Sequence, residues 1–359
     1  MSMSRFFSEK YHTLTPYTPG EQPQDMPYIK LNTNESPFPP PAAVLSGSAE
    51  AAAKLQLYPD PDCNDLVRLL AKRYDVLPEE VLPTNGSDEI LNFAFMAFCS
   101  SDRPAVFPDI TYGFYPVFAE INGIPYTEIP LKEDFYIDIN DYIGLNKTIF
   151  IANPNAPTGI ALSLSELEQI ISSNPESVVV IDEAYVDFGA ESCVKLIHKY
   201  DNLLVTQTFS KSRSMAGARL GFGIGNKDLI QDLNTIKYST NPYNINRMTA
   251  SAGIGSLMSE EDTIKNCRTI MENRTFTMEE LKKLGFQLTD SMTNFVFAAH
   301  PDISGEKLYL RLKEKGILIR HFSKERISNY NRITIGTMQQ MKTLISTIQK
   351  ILEEEHENI

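Results

Sequence analysis

Five residues, Ser177 to Ile181, read SVVVI and are followed at once by Asp182. A β-branched run without polar alternation is what a strand buried on both faces requires. Such strands belong to parallel sheets covered by helices on each side. Parallel neighbours need long crossover connections, so the chain must alternate strands with helices. It does. Thr148–Ala152 is a second apolar run, stopped by the turn-rich NPNAPTG. Ser163 and Glu166 form a capping box that opens a helix over Leu164–Ile171. Asn202–Thr206 gives a further strand. Ser87–Cys99 reads as a helix, with Ser87 near its N-cap and Asp88 and Glu89 in its first turn.

This rhythm predicts an α/β fold, with a mainly parallel central sheet between helices in a large domain over residues 31–245. Residues 1–30 are polar and proline-rich, an arm ahead of it. After 245 the pattern changes. Amphipathic helices (Glu261–Leu284, Gly305–Lys315, Gln339–Glu355) flank short strands at Asn294–Ala298, Ile317–Arg320 and Arg332–Ile335. That is a smaller α+β domain over 246–359. A chain of 359 residues, 42% hydrophobic, can bury both cores.

The net charge of −13, with no basic block, argues against nucleic acid and anionic membrane as partners. Cys63, Cys99, Cys193 and Cys267 are scattered without CxxC spacing, which fits free thiols in a reducing cytoplasm. The five histidines are equally dispersed, so no metal site is expected. The start, MSMSRFFSEK, has no apolar core of signal-peptide type. The longest apolar stretch, Ile90–Cys99, is too short to span a bilayer. The acidic EEEHEN near the end reads as a solvated helix end.

In open α/β sheets, ligands bind at the carboxyl ends of the strands. Three separate strands deliver Asn155, Asp182 and Lys211 to one such edge. Alone, each has an ordinary explanation as a turn or surface residue. Jointly they suit a phosphorylated pyridine cofactor. A lysine that forms a Schiff base must be nucleophilic, and a neighbouring positive charge lowers its pKa. A pyridine ring used as an electron sink needs an acid at its nitrogen, which Asp182 can be. Its phosphate needs N–H groups at a helix start, as at Gly86-Ser87-Asp88, with the Ser210 hydroxyl and the Arg219 guanidinium. GFGIG (221–225) mimics part of a dinucleotide fingerprint but lacks its full spacing, so NAD is not expected.

NPNAPTG, VVVIDEAY and TFSKSRSMAGARLGFGIG, in this order, resemble the fold-type I aminotransferases that depend on pyridoxal phosphate. LTPYTPG (14–20), LNTNESPFPP (31–40), LYPDP (57–61), TNGSDEI (84–90), PYNIN (242–246) and RITIGT (332–337) are similar to the histidinol-phosphate branch of that family. The resemblance covers nearly the whole chain. It implies a homodimer with shared active sites, working on a small amino donor and a 2-oxo acid. Lys211 would hold the cofactor and shuttle the α-proton, and Asp182 would keep the ring nitrogen protonated. Tyr185 and Asn155 would hydrogen-bond the phenolic oxygen, and Tyr112 would stack on the ring. Ser87, Asp88, Thr208, Ser210 and Arg219 would surround the phosphate, joined by Tyr58 from the neighbouring subunit. Tyr17, Asn34, Arg320 and Arg332 would face the substrate. Aromatic amino acid aminotransferases and a threonine-phosphate decarboxylase share most of these motifs. A non-catalytic cofactor-binding domain of a transcriptional regulator would want an attached basic DNA-binding domain, which the short arm does not supply.

Overall fold

A computed structural model describes residues 4–357. In chain order, β1 (Ile29–Lys30) is followed by α1 (Ala42–Ala52) and α2 (Asn64–Tyr74). Then come β2 (Val81–Thr84), α3 (Ser87–Phe98), β3 (Ala105–Pro108), α4 (Tyr115–Asn122) and β4 (Tyr126–Ile129). β5 (Thr148–Ala152), α5 (Leu164–Ser173), β6 (Val179–Asp182), β7 (Leu203–Thr208) and β8 (Gly221–Gly225) come after them. β2 to β8 form one sheet in the order β2-β8-β7-β6-β5-β3-β4. β8 runs antiparallel to both its neighbours, and every other adjacent pair is parallel.

The β-branched run does what its composition demands. Val180 joins Phe95, Phe150 and Leu204 on one face, whereas Val179 and Ile181 join Ile149, Ile151, Leu203 and Val205 on the other. Burying each such side chain contributes about 1.5–3 kcal/mol, so one charged substitution at Val180 would undo a face. The capping box is present: Glu166 N donates to Ser163 Oγ at 3.3 Å and Ser163 N donates to Glu166 Oε2 at 2.8 Å. The glycines of β8 let α3 lie close. A Cβ on Gly223 would fall 2.5 Å from Ile90 Cδ1.

The rest of the chain supplies α6 (Lys227–Thr240), α7 (Arg247–Met258), α8 (Glu260–Lys283), β9 (Gln287–Leu288) and β10 (Phe295–Ala299). It ends with α9 (Gly305–Glu314), β11 (Ile317–Leu318), β12 (Arg320–His321), β13 (Asn331–Thr334) and α10 (Met338–Glu357). A second, antiparallel sheet has the order β12-β13-β10-β9. Ile270, Leu281, Leu308, Leu312, Leu344 and Ile348 of α8, α9 and α10 cover it.

Two segments sit away from their sequence neighbours. α7 packs on α1 and α2, with Ala252 in the same core as Leu66 and Leu70. β1, at the end of the arm, pairs in parallel with β11 in the second body. The acidic tail is less free than its composition suggests. Glu354 pairs with Arg311 and Lys315, and Glu355 with Lys307, while Asn358 lies outside the described residues. Among the described residues no helix is long and apolar enough to cross a membrane.

Candidate active site

Asp182 ends β6, opposite Ala152 of β5 and Thr206 of β7. It is 4% exposed. Its Oδ2 accepts from Tyr115 OH at 3.0 Å and its Oδ1 from Ala184 N at 3.2 Å. Burial outweighs both hydrogen bonds and lifts the carboxyl to about 7. This is a buried acid without a cationic partner among the described residues. Its neighbour Glu183 points elsewhere, accepting from Ser192 Oγ, Cys193 N and Gln207 Nε2 and so knitting β6 to β7.

Lys211 stands three residues beyond β7. Its Nζ donates to Thr33 O at 3.1 Å and lies 5.8 Å from the centre of the Tyr185 ring. Burial first, then the Arg332 charge, brings the amine down to about 8. Tyr185 OH accepts from Asn34 Nδ2 at 2.9 Å. Asn34, held in the left-handed region at φ 56°, is pinned through its N–H and its Oδ1 to Thr334 Oγ1, each at 3.0 Å. Asn155 gives its amide N–H groups to Ile110 O and Thr158 Oγ1, and its Oδ1 accepts from Thr111 Oγ1 at 2.7 Å.

Thr208, Ser210, Arg219 and Asp88 gather at the start of α3. Its N-cap is Gly86, with Ser87 the first helical residue beside it, and no side chain caps the first N–H groups. A Cβ on Gly221 would fall 2.4 Å from Ser87 N and close the space. Thr208 Oγ1 donates to Ser210 Oγ at 2.9 Å, and Arg219 Nη1 reaches Ser210 Oγ at 3.5 Å. The Asp88 carboxylate is already committed. It takes Arg219 Nη2 at 2.8 Å and Tyr112 OH at 2.6 Å. A carboxylate repels a phosphate, so Asp88 could face an anion there only through its backbone N–H.

A cavity of about 890 Å³ opens above Lys211, and Tyr17, Asn34, Tyr112, Tyr185, Arg320 and Arg332 line it. Tyr58 does not line it; that residue is 78% exposed and stacked on Tyr243 at 4.6 Å. Arg332 Nη2 donates to Asn32 O at 3.1 Å, while its buried Nε has no partner. Arg320 reaches Pro19 O at 3.2 Å and Thr18 O at 3.1 Å. Neither arginine is in an ion pair among the described residues. Tyr17 is held over the cavity by stacking on Phe114 at 4.2 Å. His321, beside Arg320, sits at the rim with its Nε2 2.9 Å from Ser328 O. Sequence reasoning missed Thr33, Thr111, Tyr115 and Phe322, the last placed 5.8 Å from both guanidinium groups. Tyr115 lies three residues after Tyr112 in TYGFY, across a turn closed by Tyr115 N donating to Tyr112 O at 3.2 Å.

The site thus offers a lone buried acid, an amine whose pKa is brought down to about 8, and a helix start whose first N–H groups no side chain caps. Those are the needs of a phosphorylated pyridine aldehyde: a partner for its ring nitrogen, an amine for its carbonyl and N–H groups for its phosphate.

Comparison with known proteins is concordant. Residues 26–348 match the aminotransferase class I and II family. The histidinol-phosphate aminotransferase of Brachyspira hyodysenteriae is 50% identical over 353 residues, covering 98% of this chain and 100% of that protein. The enzyme of the same name from Marinomonas sp. is 48% identical over 97% of this chain and 100% of its own length. Among solved structures, a histidinol-phosphate aminotransferase from Sinorhizobium meliloti in complex with pyridoxal phosphate superposes with TM-score 0.84 at 21% identity. It covers 91% of this chain and 92% of its own.

Proposed function

The chain belongs to the class I and II aminotransferases, which use pyridoxal phosphate, and we propose that it moves an amino group from histidinol phosphate to 2-oxoglutarate. The products are imidazole acetol phosphate and glutamate. When bound, pyridoxal phosphate supplies a carbonyl for the amino group and a ring that withdraws electrons from the adjacent carbon.

The chain's own groups do the rest. Lys211 Nζ would hold the cofactor through its carbonyl, and the same amine is placed to take the α-proton and return it. Asp182 holds a proton at the ring nitrogen. Tyr185, aimed by Asn34, and Asn155 would hydrogen-bond the phenolic oxygen. Tyr112 would stack on the ring. The N–H groups of Ser87 and Asp88, the hydroxyls of Thr208 and Ser210 and the Arg219 guanidinium grip the phosphate. Arg332, Arg320 and Tyr17 bind the substrate's anionic end and orient it.

The observation that carries this reading is the pair Arg320 and Arg332, which face the cavity without a carboxylate partner among the described residues. In a chain of net charge −13, guanidinium groups left so are poised for an anion. A planar fork can take a phosphate in one half-reaction and a carboxylate in the other, as a donor with no carboxylate and an acceptor with two require. Tyr58 is exposed, as are Leu45, Leu55, Leu57 and Met258, and this supports a homodimer in which Tyr58 completes the partner's phosphate site. Four buried, free cysteines support a cytoplasmic home.

The test is a half-reaction screen. The cofactor-loaded enzyme is mixed with histidinol phosphate, histidinol, phenylalanine, tyrosine and phosphothreonine while the cofactor spectrum is followed. Conversion to the amine form with histidinol phosphate, far ahead of the others, is expected. Preference for phenylalanine, or carbon dioxide release from phosphothreonine, would replace the reading.

A further inference from the structure

Tyr115 opens α4 and is completely buried, yet its hydroxyl has one purpose in the structure. It donates to Asp182 Oδ2 at 3.0 Å. Three aromatic rings hold it there. Tyr112 meets it edge-on at 5.7 Å and 84°, Phe107 is tilted at 5.6 Å and Phe150 at 5.9 Å. A phenol clamped this way has no freedom to turn to another acceptor.

We propose that Tyr115 is a positioning residue that keeps Asp182 ionised and thereby keeps the shared proton on the cofactor's ring nitrogen. The proposal rests on Asp182 being the partner of that nitrogen. A proton between a carboxylate and a pyridine sits on the more basic of the two. Desolvation makes Asp182 a stronger base than an ordinary aspartate, which would draw the proton away from the ring. Two donors oppose that pull, Tyr115 OH and Ala184 N, and Tyr115 is the only side chain of the two. Asp88 is a like charge and works against them, and its own pairing with Arg219 and Tyr112 blunts that effect. The charged and titratable groups around the proton are therefore Asp182, Tyr115, Tyr112, Asp88 and Tyr185. Without the Tyr115 hydroxyl, Asp182 becomes more basic, the ring loses its proton and with it much of its pull on electrons.

The experiment uses the full-length, cofactor-loaded enzyme with isotope-labelled ring nitrogen, read by its NMR shift, alongside single-turnover rates. Tyr115→Phe should move the nitrogen signal toward the unprotonated position and slow α-proton removal roughly tenfold to a hundredfold, with KM little changed. Asp182→Asn should move the signal further. Adding Tyr115→Phe to Asp182→Asn should change neither readout by more than about twofold, because the hydroxyl acts only through the carboxylate. If Asp182→Asn leaves the nitrogen signal unmoved, the reading of Asp182 fails. If Asp182→Asn moves it and Tyr115→Phe does not, the Tyr115 proposal alone fails. Should Tyr115→Phe not fold, Tyr115→His, whose ring N–H can serve the same oxygen, is the second variant. It should retain the protonated signal, and an unprotonated one would overturn the proposal.

Discussion

If Lys211 joins the cofactor through its neutral amine, the rate of joining must follow that amine's titration. A lysine ordinarily loses its proton near 10.5, whereas burial and the Arg332 charge bring Lys211 down to about 8. At neutral pH, a pKa of 8 leaves roughly one amine in ten neutral, against about one in three thousand for an unperturbed lysine. The site therefore multiplies the available nucleophile by about 300-fold. The assay mixes cofactor-free protein with pyridoxal phosphate in a stopped-flow instrument over a range of pH at constant ionic strength. The second-order rate should climb about tenfold per pH unit and level off near pH ~8. Arg332→Gln removes the second cause and leaves burial, so the levelling point should move up but stay below that of a free lysine. A wild-type rate still climbing above about pH 9.5 would refute the reasoning, because the amine would then be titrating as though in water.

Asp182 makes an opposite kind of prediction for the cofactor-free protein. Its carboxyl sits near 7 when folded against 3.8 ordinarily, so between those values the folded chain holds a proton that the unfolded chain releases. Stability therefore falls as pH rises through that window, by about 4 kcal/mol at most. In urea titrations, the cofactor-free Asp182→Asn protein should overtake wild type as pH rises from about 4 to 8, and a gap that does not grow with pH would count against this. Arg332→Ala should slow both half-reactions by roughly tenfold to a hundredfold, while Arg320→Lys should hurt histidinol phosphate more than histidinol. Single-turnover kinetics decide it, and equal effects of Arg320→Lys on both donors would remove that arginine from phosphate recognition. Mixing the inactive Lys211→Ala and Tyr58→Asp proteins under subunit exchange should restore roughly a quarter of wild-type activity, since one site of each mixed dimer is then whole. No recovery despite proven exchange would mean that Tyr58 serves its own chain.

The strand ends were legible because apolar runs are. SVVVI, TIFIA and NLLVT announce buried strands, and residues just beyond the carboxyl end of a buried strand reach the ligand edge. Lys211, Asp182 and Asn155 could be placed on one edge from that alone. The direction of β8 could not. GFGIG is too short and too rich in glycine to show a period, and its glycines answer to Ser87 and Ile90, residues far away in the chain. The packing of α7 on α1 and α2 was hidden too, because its apolar residues look the same whichever body they face. Tyr115 and Thr33 act through one hydroxyl and one carbonyl, and no residue pattern marks where a single such group points.

The partnership of Asn34 with Thr334 spans 300 residues. At a synthesis rate of about 5–20 residues per second, Asn34 waits on the order of 15–60 seconds before Thr334 is made. The large sheet can assemble in that interval, since its strands end at Gly225. Asn34, which aims Tyr185, and Thr33, which receives Lys211, gain their anchorage only when the last strand and β11 arrive to fix them. A nascent chain on the ribosome thus lacks the contacts that hold Asn34 until β13 has been made.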